Sequence, residues 1–113
     1  MADVRFSPQA LSDGGITPAY TGSLLTTNVH KFKNDGKTIV HVKKSGAGAC
    51  TMTITTPKQV GGLDVAERTV TVAASTGDNM VGPFQPSIYN DGSGDVAITF
   101  SEVTGLTMAV VSL

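Results

Sequence analysis

From Leu24 onward the chain is written in short runs in which apolar and polar residues alternate. A period of two dictates extended strands with one face turned inward and the other outward. Leu24 to Phe32 predicts a first strand. Lys37 to Lys44 predicts a second, with Val40 and Val42 on one face and Ile39, His41 and Lys43 on the other. In Ala49 to Thr56, Cys50, Met52 and Ile54 alternate with Thr51, Thr53 and Thr55, and Pro57 ends the run or confines it to an edge. Val70 and Val72 alternate with threonines in Arg68 to Ala73, and Asn79 to Phe84 reads as a shorter strand closed by Pro83 and Pro86. Val96, Ile98 and Phe100 form one later set, and Leu106, Met108 and Val110 another. No segment sustains a period of 3.6.

The turns between these runs are equally marked. Asn34-Asp35-Gly36 and Asn90-Asp91-Gly92 repeat one phrase, and Asp-Gly between alternating runs predicts a β-hairpin, because Gly tolerates the positive φ of the turn. Gly61-Gly62 predicts a loop with room for one helical turn over Leu63 to Ala66. The whole predicts an all-β domain of seven or eight strands, arranged as an antiparallel two-sheet sandwich or a small barrel.

Residues 1–23 differ. Pro8, Gly14-Gly15, Pro18 and Gly22 interrupt any period, while Phe6, Leu11, Ile16 and Tyr20 stand as isolated apolar anchors. This reads as an extended N-terminal arm that crosses its own domain or reaches a neighbour, or as a partly ordered leader, ahead of a β-sandwich domain spanning 24–113.

A chain of 113 residues buries about two-thirds of its unfolded surface without a metal or disulfide. Its net charge of −1 draws it toward neither nucleic acid nor anionic membrane. The charge is uneven: residues 1–57 sum to +3 and residues 58–113 to −4, which reads either as scattered solvated side chains or as a means for copies or partners to dock by complementarity. The lone Cys50 implies no oxidising compartment, and no run approaches the roughly 20 apolar residues of a membrane span. The N-terminus lacks the apolar core of a signal peptide, so a chain made in a cytoplasm and remaining soluble is expected.

Candidate chemistry is sparse. Asp91, Ser93, Asp95 and Glu102 fall at calcium-loop spacing, but Val96 replaces the required Gly and strands flank the loop, so a polar turn is expected instead. His30 and His41 flank the first turn, with Asp35 and Cys50 near in sequence; zinc would need more ligands, and surface or sheet-edge histidines are expected. Lys31, Lys33, Lys37, Lys43 and Lys44 crowd one predicted hairpin, as guards of an exposed strand edge or as contacts for an acidic protein surface. Aromatic residues are 5% of the chain, too few for a base-stacking platform. Phe84, in the stiff Val81 to Pro86 connection, is a core residue or a partner contact. No catalytic, cofactor-binding or metal-binding residue is assigned. Phe6, Leu11, Ile16, Tyr20, Lys31, Lys33, Lys43, Lys44 and Phe84 are the candidate protein-interaction residues.

Taken in order, Phe32 to Val40, Thr53 to Pro57, Arg68 to Val72, Gly82-Pro83-Phe84 and Tyr89-Asn90-Asp91 resemble the small β proteins encoded near the capsid genes of tailed bacteriophages, several of which are decoration (cement) proteins. The resemblance spans about residues 28–113 and consists of turn and strand phrases, so it carries over no site residue. It implies a jelly-roll-like or immunoglobulin-like sandwich that forms dimers or trimers. It also implies synthesis in a bacterial host, the major capsid protein as partner, and a place on the outer surface of the virion. The alternatives are a tail or head–tail joining protein, or a small module binding sugar or calcium.

Overall fold

The structure is a computed structural model describing residues 2–22 and 24–113; Met1 and Ser23, at the ends of the arm read from the sequence, lie outside it. Its strands are β1 (Ala2–Phe6), β2 (Gln9–Ala10), β3 (Asn28–Lys33), β4 (Thr38–Lys44), β5 (Cys50–Ile54), β6 (Gln59–Val60), β7 (Leu63–Asp64), β8 (Arg68–Val72), β9 (Gly77–Val81), β10 (Asp95–Phe100) and β11 (Leu106–Ser112). One helical turn, α1 (Pro86–Tyr89), precedes β10. Among the described residues no helix is long and apolar enough to cross a membrane.

The strands form a five-stranded sheet in the order β1-β3-β10-β5-β8, a four-stranded sheet in the order β2-β11-β4-β9, and the small pair β6-β7. The chain is therefore all-β apart from α1. Among the described residues there are eleven strands, three of them only two residues long, where the alternation predicts seven or eight.

The faces follow from parity. Phe32, Met52, Ile54, Val72, Val96 and Ile98 of the larger sheet meet Val40, Val42, Leu106, Met108 and Val110 of the smaller in one core, with Leu24 and Phe84 sealing it. Each fully buried large side chain contributes about 1.5–3 kcal/mol relative to exposure, so this shared interior dominates the stability. Leu24 reaches the core as a plug outside any strand, since β3 begins only at Asn28.

Pairing departs from the sequence expectation. β3 and β4 flank Asn34-Asp35-Gly36 but lie in different sheets, so the phrase makes an arch between layers and not a hairpin. Both strands carry apolar residues of one parity, and placing them in opposite layers buries both sets against each other. β4 to β5, β8 to β9, β9 to β10 and β10 to β11 also change sheets. The hairpin that does form is β6–β7, where Gly61 and Gly62 both have positive φ (61° and 81°), as a two-residue primed turn requires. The room for a helical turn over Leu63 to Ala66 is taken by β7 and the residues after it, and the helical turn α1 lies at Pro86–Tyr89.

The segment 2–22 joins both layers. β1 adds to β3 and β2 adds to β11, each in parallel, while the other strand pairs are antiparallel. The sheets are thus mixed, where the sequence predicts purely antiparallel ones.

Candidate interaction surface

The two Asn-Asp-Gly phrases touch one another. Asn34 is buried; its Nδ2 donates to the Phe84 carbonyl (3.0 Å) and to Asn90 Oδ1 (2.6 Å), and Asn90 Nδ2 donates back to the Asn34 carbonyl (3.0 Å). The repeat is a reciprocal clasp between the interlayer arch and the loop before β10. Asp91 Oδ1 accepts from the amides of Ser93 and Asp95, forming the polar turn expected at the calcium-like spacing. Asp95 and Glu102 stand at opposite ends of β10, each with its own cation, Arg5 and Lys44.

The first segment is tied down along its length. Arg5 donates to both oxygens of Asp95 (2.5 and 2.9 Å), a bidentate pair that holds this buried carboxyl below the ordinary aspartate range. Asp3 lies 3.3 Å from Lys31 Nζ. Phe6 packs on the core, and Gln9 exchanges two hydrogen bonds with the Ala19 backbone. Tyr20 lies on the outer face of the four-stranded sheet: its hydroxyl donates to His41 Nδ1 (2.7 Å), and Lys43 Nζ stands 5.1 Å from its ring centre. The buried Ala109 and Val111 share that outer face with His41 and Ile39, outside the core cluster. Of the four arm anchors, Phe6 and Tyr20 are thus engaged within the chain, Ile16 is half-buried and Leu11 is exposed.

The lysines divide. β3 and β4 are interior strands, so Lys31, Lys33, Lys43 and Lys44 do not stand on edge strands. Lys31 lies between Asp3 and Asp91, and Lys33 donates to the Ser93 carbonyl (2.8 Å). Lys43 is exposed on the outer face. Lys44 shares the inward parity of Val40 and Val42; its covered ammonium lies 2.5 Å from Glu102 Oε2 and donates to the Thr104 carbonyl. That cation and the Thr104 amide pull Glu102 down to about 2. Lys44 and the buried Phe84 therefore present no side chain to a partner, because both complete the interior.

The histidines take opposite fates. His30 is fully buried, where a surface position is expected: it shares Phe32's parity and sits between Phe6 and Phe100. Its Nδ1 donates to the Ile98 carbonyl (3.2 Å), leaving Nε2 without a partner, and burial pushes its pKa down. His41, on the other sheet, donates from Nε2 to Asp78 (2.5 Å). Cys50 is buried in the core and Asp35 caps the Lys37 amide, so the four polar groups near the first turn do not converge. Asp78, His41 and Tyr20 do form a hydrogen-bonded chain, which orients the tyrosine of the first segment; its signal in the sequence is only His41's outward parity.

What the structure leaves unsatisfied is apolar surface. Leu11, Leu25, Val60, Leu63, Met80 and Leu113 are all exposed by 46% or more, and only Leu11 belongs to the sequence-derived set. Met80 stands beside His41 on the outer face of the smaller sheet, and Leu11 and Leu113 lie at the end of the β2–β11 pair. Val60 and Leu63 face each other at the tip of the β6–β7 hairpin. Compared with known proteins, the chain matches no family model, no curated protein and no solved structure.

Proposed function

We propose that the chain is a structural protein of a tailed-phage virion, a decoration protein that binds the outer face of the head lattice and stabilises it. In this reading it acts by binding and not by catalysis, associates with itself as a dimer or trimer, and takes a jelly-roll-like or immunoglobulin-like topology. The resemblance of its turn and strand phrases suggests the role. The observation that carries it is the set of exposed apolar side chains on rigid supports: Met80 and Leu113 beside a strand pair, and Val60 and Leu63 on a preformed turn. Such residues offer contacts at little cost in ordering. Each contact is small, so affinity would come from many copies engaging one lattice. Binding only the assembled, expanded shell would stabilise that state by mass action.

Co-sedimentation with mature and immature heads tests the proposal. Saturable binding to mature heads, with a raised temperature of shell rupture, is expected; absence of binding to mature heads would defeat it.

A further inference from the structure

Among the described residues the two main sheets have four edge strands, β1 and β8 in the five-stranded sheet and β2 and β9 in the four-stranded one. Exposed edges offer unpaired amides and carbonyls to other strands, and proteins usually blunt them by shortness, charge, proline or bulges. Three of these edges are blunted. β1 carries Asp3 and Arg5, β2 is two residues long, and β9 begins with Gly77 and Asp78. β8 is guarded only at its start, by Arg68; the four residues that follow, Thr69-Val70-Thr71-Val72, contain no charge, proline or glycine. Among the described residues the backbone of β8 is bonded only to β5, and at one end of the strand the Arg68 side chain donates to the Tyr89 hydroxyl (2.9 Å).

We propose that β8 is a self-association edge, pairing antiparallel with β8 of a second copy about a two-fold axis at Val70. The strand is self-complementary about that residue, since Thr69-Val70-Thr71 reads the same in both directions. Two-fold pairing at Val70 sets valine against valine and threonine against threonine, and places Arg68 opposite Val72, so no like charges meet. It also keeps the two cores on one side of the joined sheet, because directly opposed residues point the same way. Val70 is only half-buried at the rim of the core, and the second copy's Val70 would cover it. On the outer face, the threonine row Thr99–Thr53–Thr69 would continue into the second copy's Thr71 and Thr51. A foreign strand would satisfy the backbone equally, but the palindrome favours the chain's own copy. The inference supplies a surface for the self-association in the reading above and rests on that reading only to this extent.

A five-residue pairing is small, so the dimer is weak and concentration-dependent. Sedimentation equilibrium of the full chain should show a reversible dimer. Thr71→Lys, at an exposed position, should weaken it at least about tenfold, roughly 1.4 kcal/mol, with the melting temperature unchanged. Val70→Cys provides a second readout, because each cysteine faces its own copy at about 4.5–5.5 Å between Cα atoms, within disulfide reach. Mild oxidation should cross-link it, whereas in Thr71→Cys the two cysteines would stand roughly 8 Å apart and stay free. The buried Cys50 does not compete. A wild-type chain monomeric at every concentration, a dimer indifferent to Thr71→Lys, or equal cross-linking of both cysteine variants would each overturn the proposal. Dimerisation through β8 by a protein that ignores phage heads would uphold this surface while the shell reading fails.

Discussion

The clasp around Asn34 and Asn90 and the hairpin from Gln59 to Asp64 are both built of turn residues, yet they do opposite work. In the clasp, buried amides replace water with each other and with the Phe84 carbonyl, joining an interlayer arch to the loop before β10. In the hairpin, the Gln59–Asp64 side-chain bond (2.8 Å) and the Val65 amide's bond to the Lys58 carbonyl hold a preformed turn, while every residue of β6 and β7 is exposed. A polar contact stabilises a fold in proportion to what breaking it would strand away from water. The hairpin strands nothing, so its order serves presentation more than folding.

The largest expected effect comes from cutting the clasp. Asn34→Ala leaves the Phe84 carbonyl and Asn90 Oδ1 without their donor and should cost about 1–3 kcal/mol in urea unfolding. A loss no larger than that of a hairpin variant would break the contrast.

Acid should sharpen the contrast, because β3 and β10, the strands beside the clasp, hold two groups with displaced titrations, His30 and Asp95. His30 is held below its ordinary 6.5 by burial, opposed in part by its bond to the Ile98 carbonyl. The unfolded chain therefore binds a proton that the folded one refuses. This contribution is complete above about pH 6.5 and is lost progressively as the pH falls below it. Asp95 is held below 3.8 chiefly by its hydrogen bonds to Arg5. Its contribution is present above that value and disappears as the pH drops toward the folded pKa. Hydrogen exchange should show β1 and β3 losing protection in these two windows, with the upper step absent in His30→Phe. An unchanged upper step in that variant would remove His30 from the account.

The smallest effect belongs to the hairpin tip. Leu63→Ser should change stability by less than about 0.5 kcal/mol, since the side chain is 74% exposed. In the co-sedimentation assay above, the same variant should weaken attachment to mature heads. A stability loss matching that of Asn34→Ala would mean the tip packs against its own domain.

Local alternation was a good guide to which side of each strand turns inward. Val40, Met52, Ile98 and Met108 are all buried as their parity predicts. The same rule marks His30 with Phe32 and Lys44 with Val42, but residue type argued for the surface in both cases. Their burial became legible only once partners distant in sequence were in place: Phe6 and Phe100 for His30, Glu102 and Thr104 for Lys44. The Asp-Gly phrase likewise reports that the chain turns, without reporting which layer the next strand joins. Met80, Val60 and Leu63 gave no signal, because one apolar residue in an alternating run looks alike whether the core covers it or solvent does.

The residue order alone therefore determined extended segments and their two faces, since a period of two acts within each strand. Tertiary structure decided strand partners, the arch between layers, the clasp and which strands stand at the edges. These depend on which distant apolar faces close over one another, and that competition is settled by the shared interior.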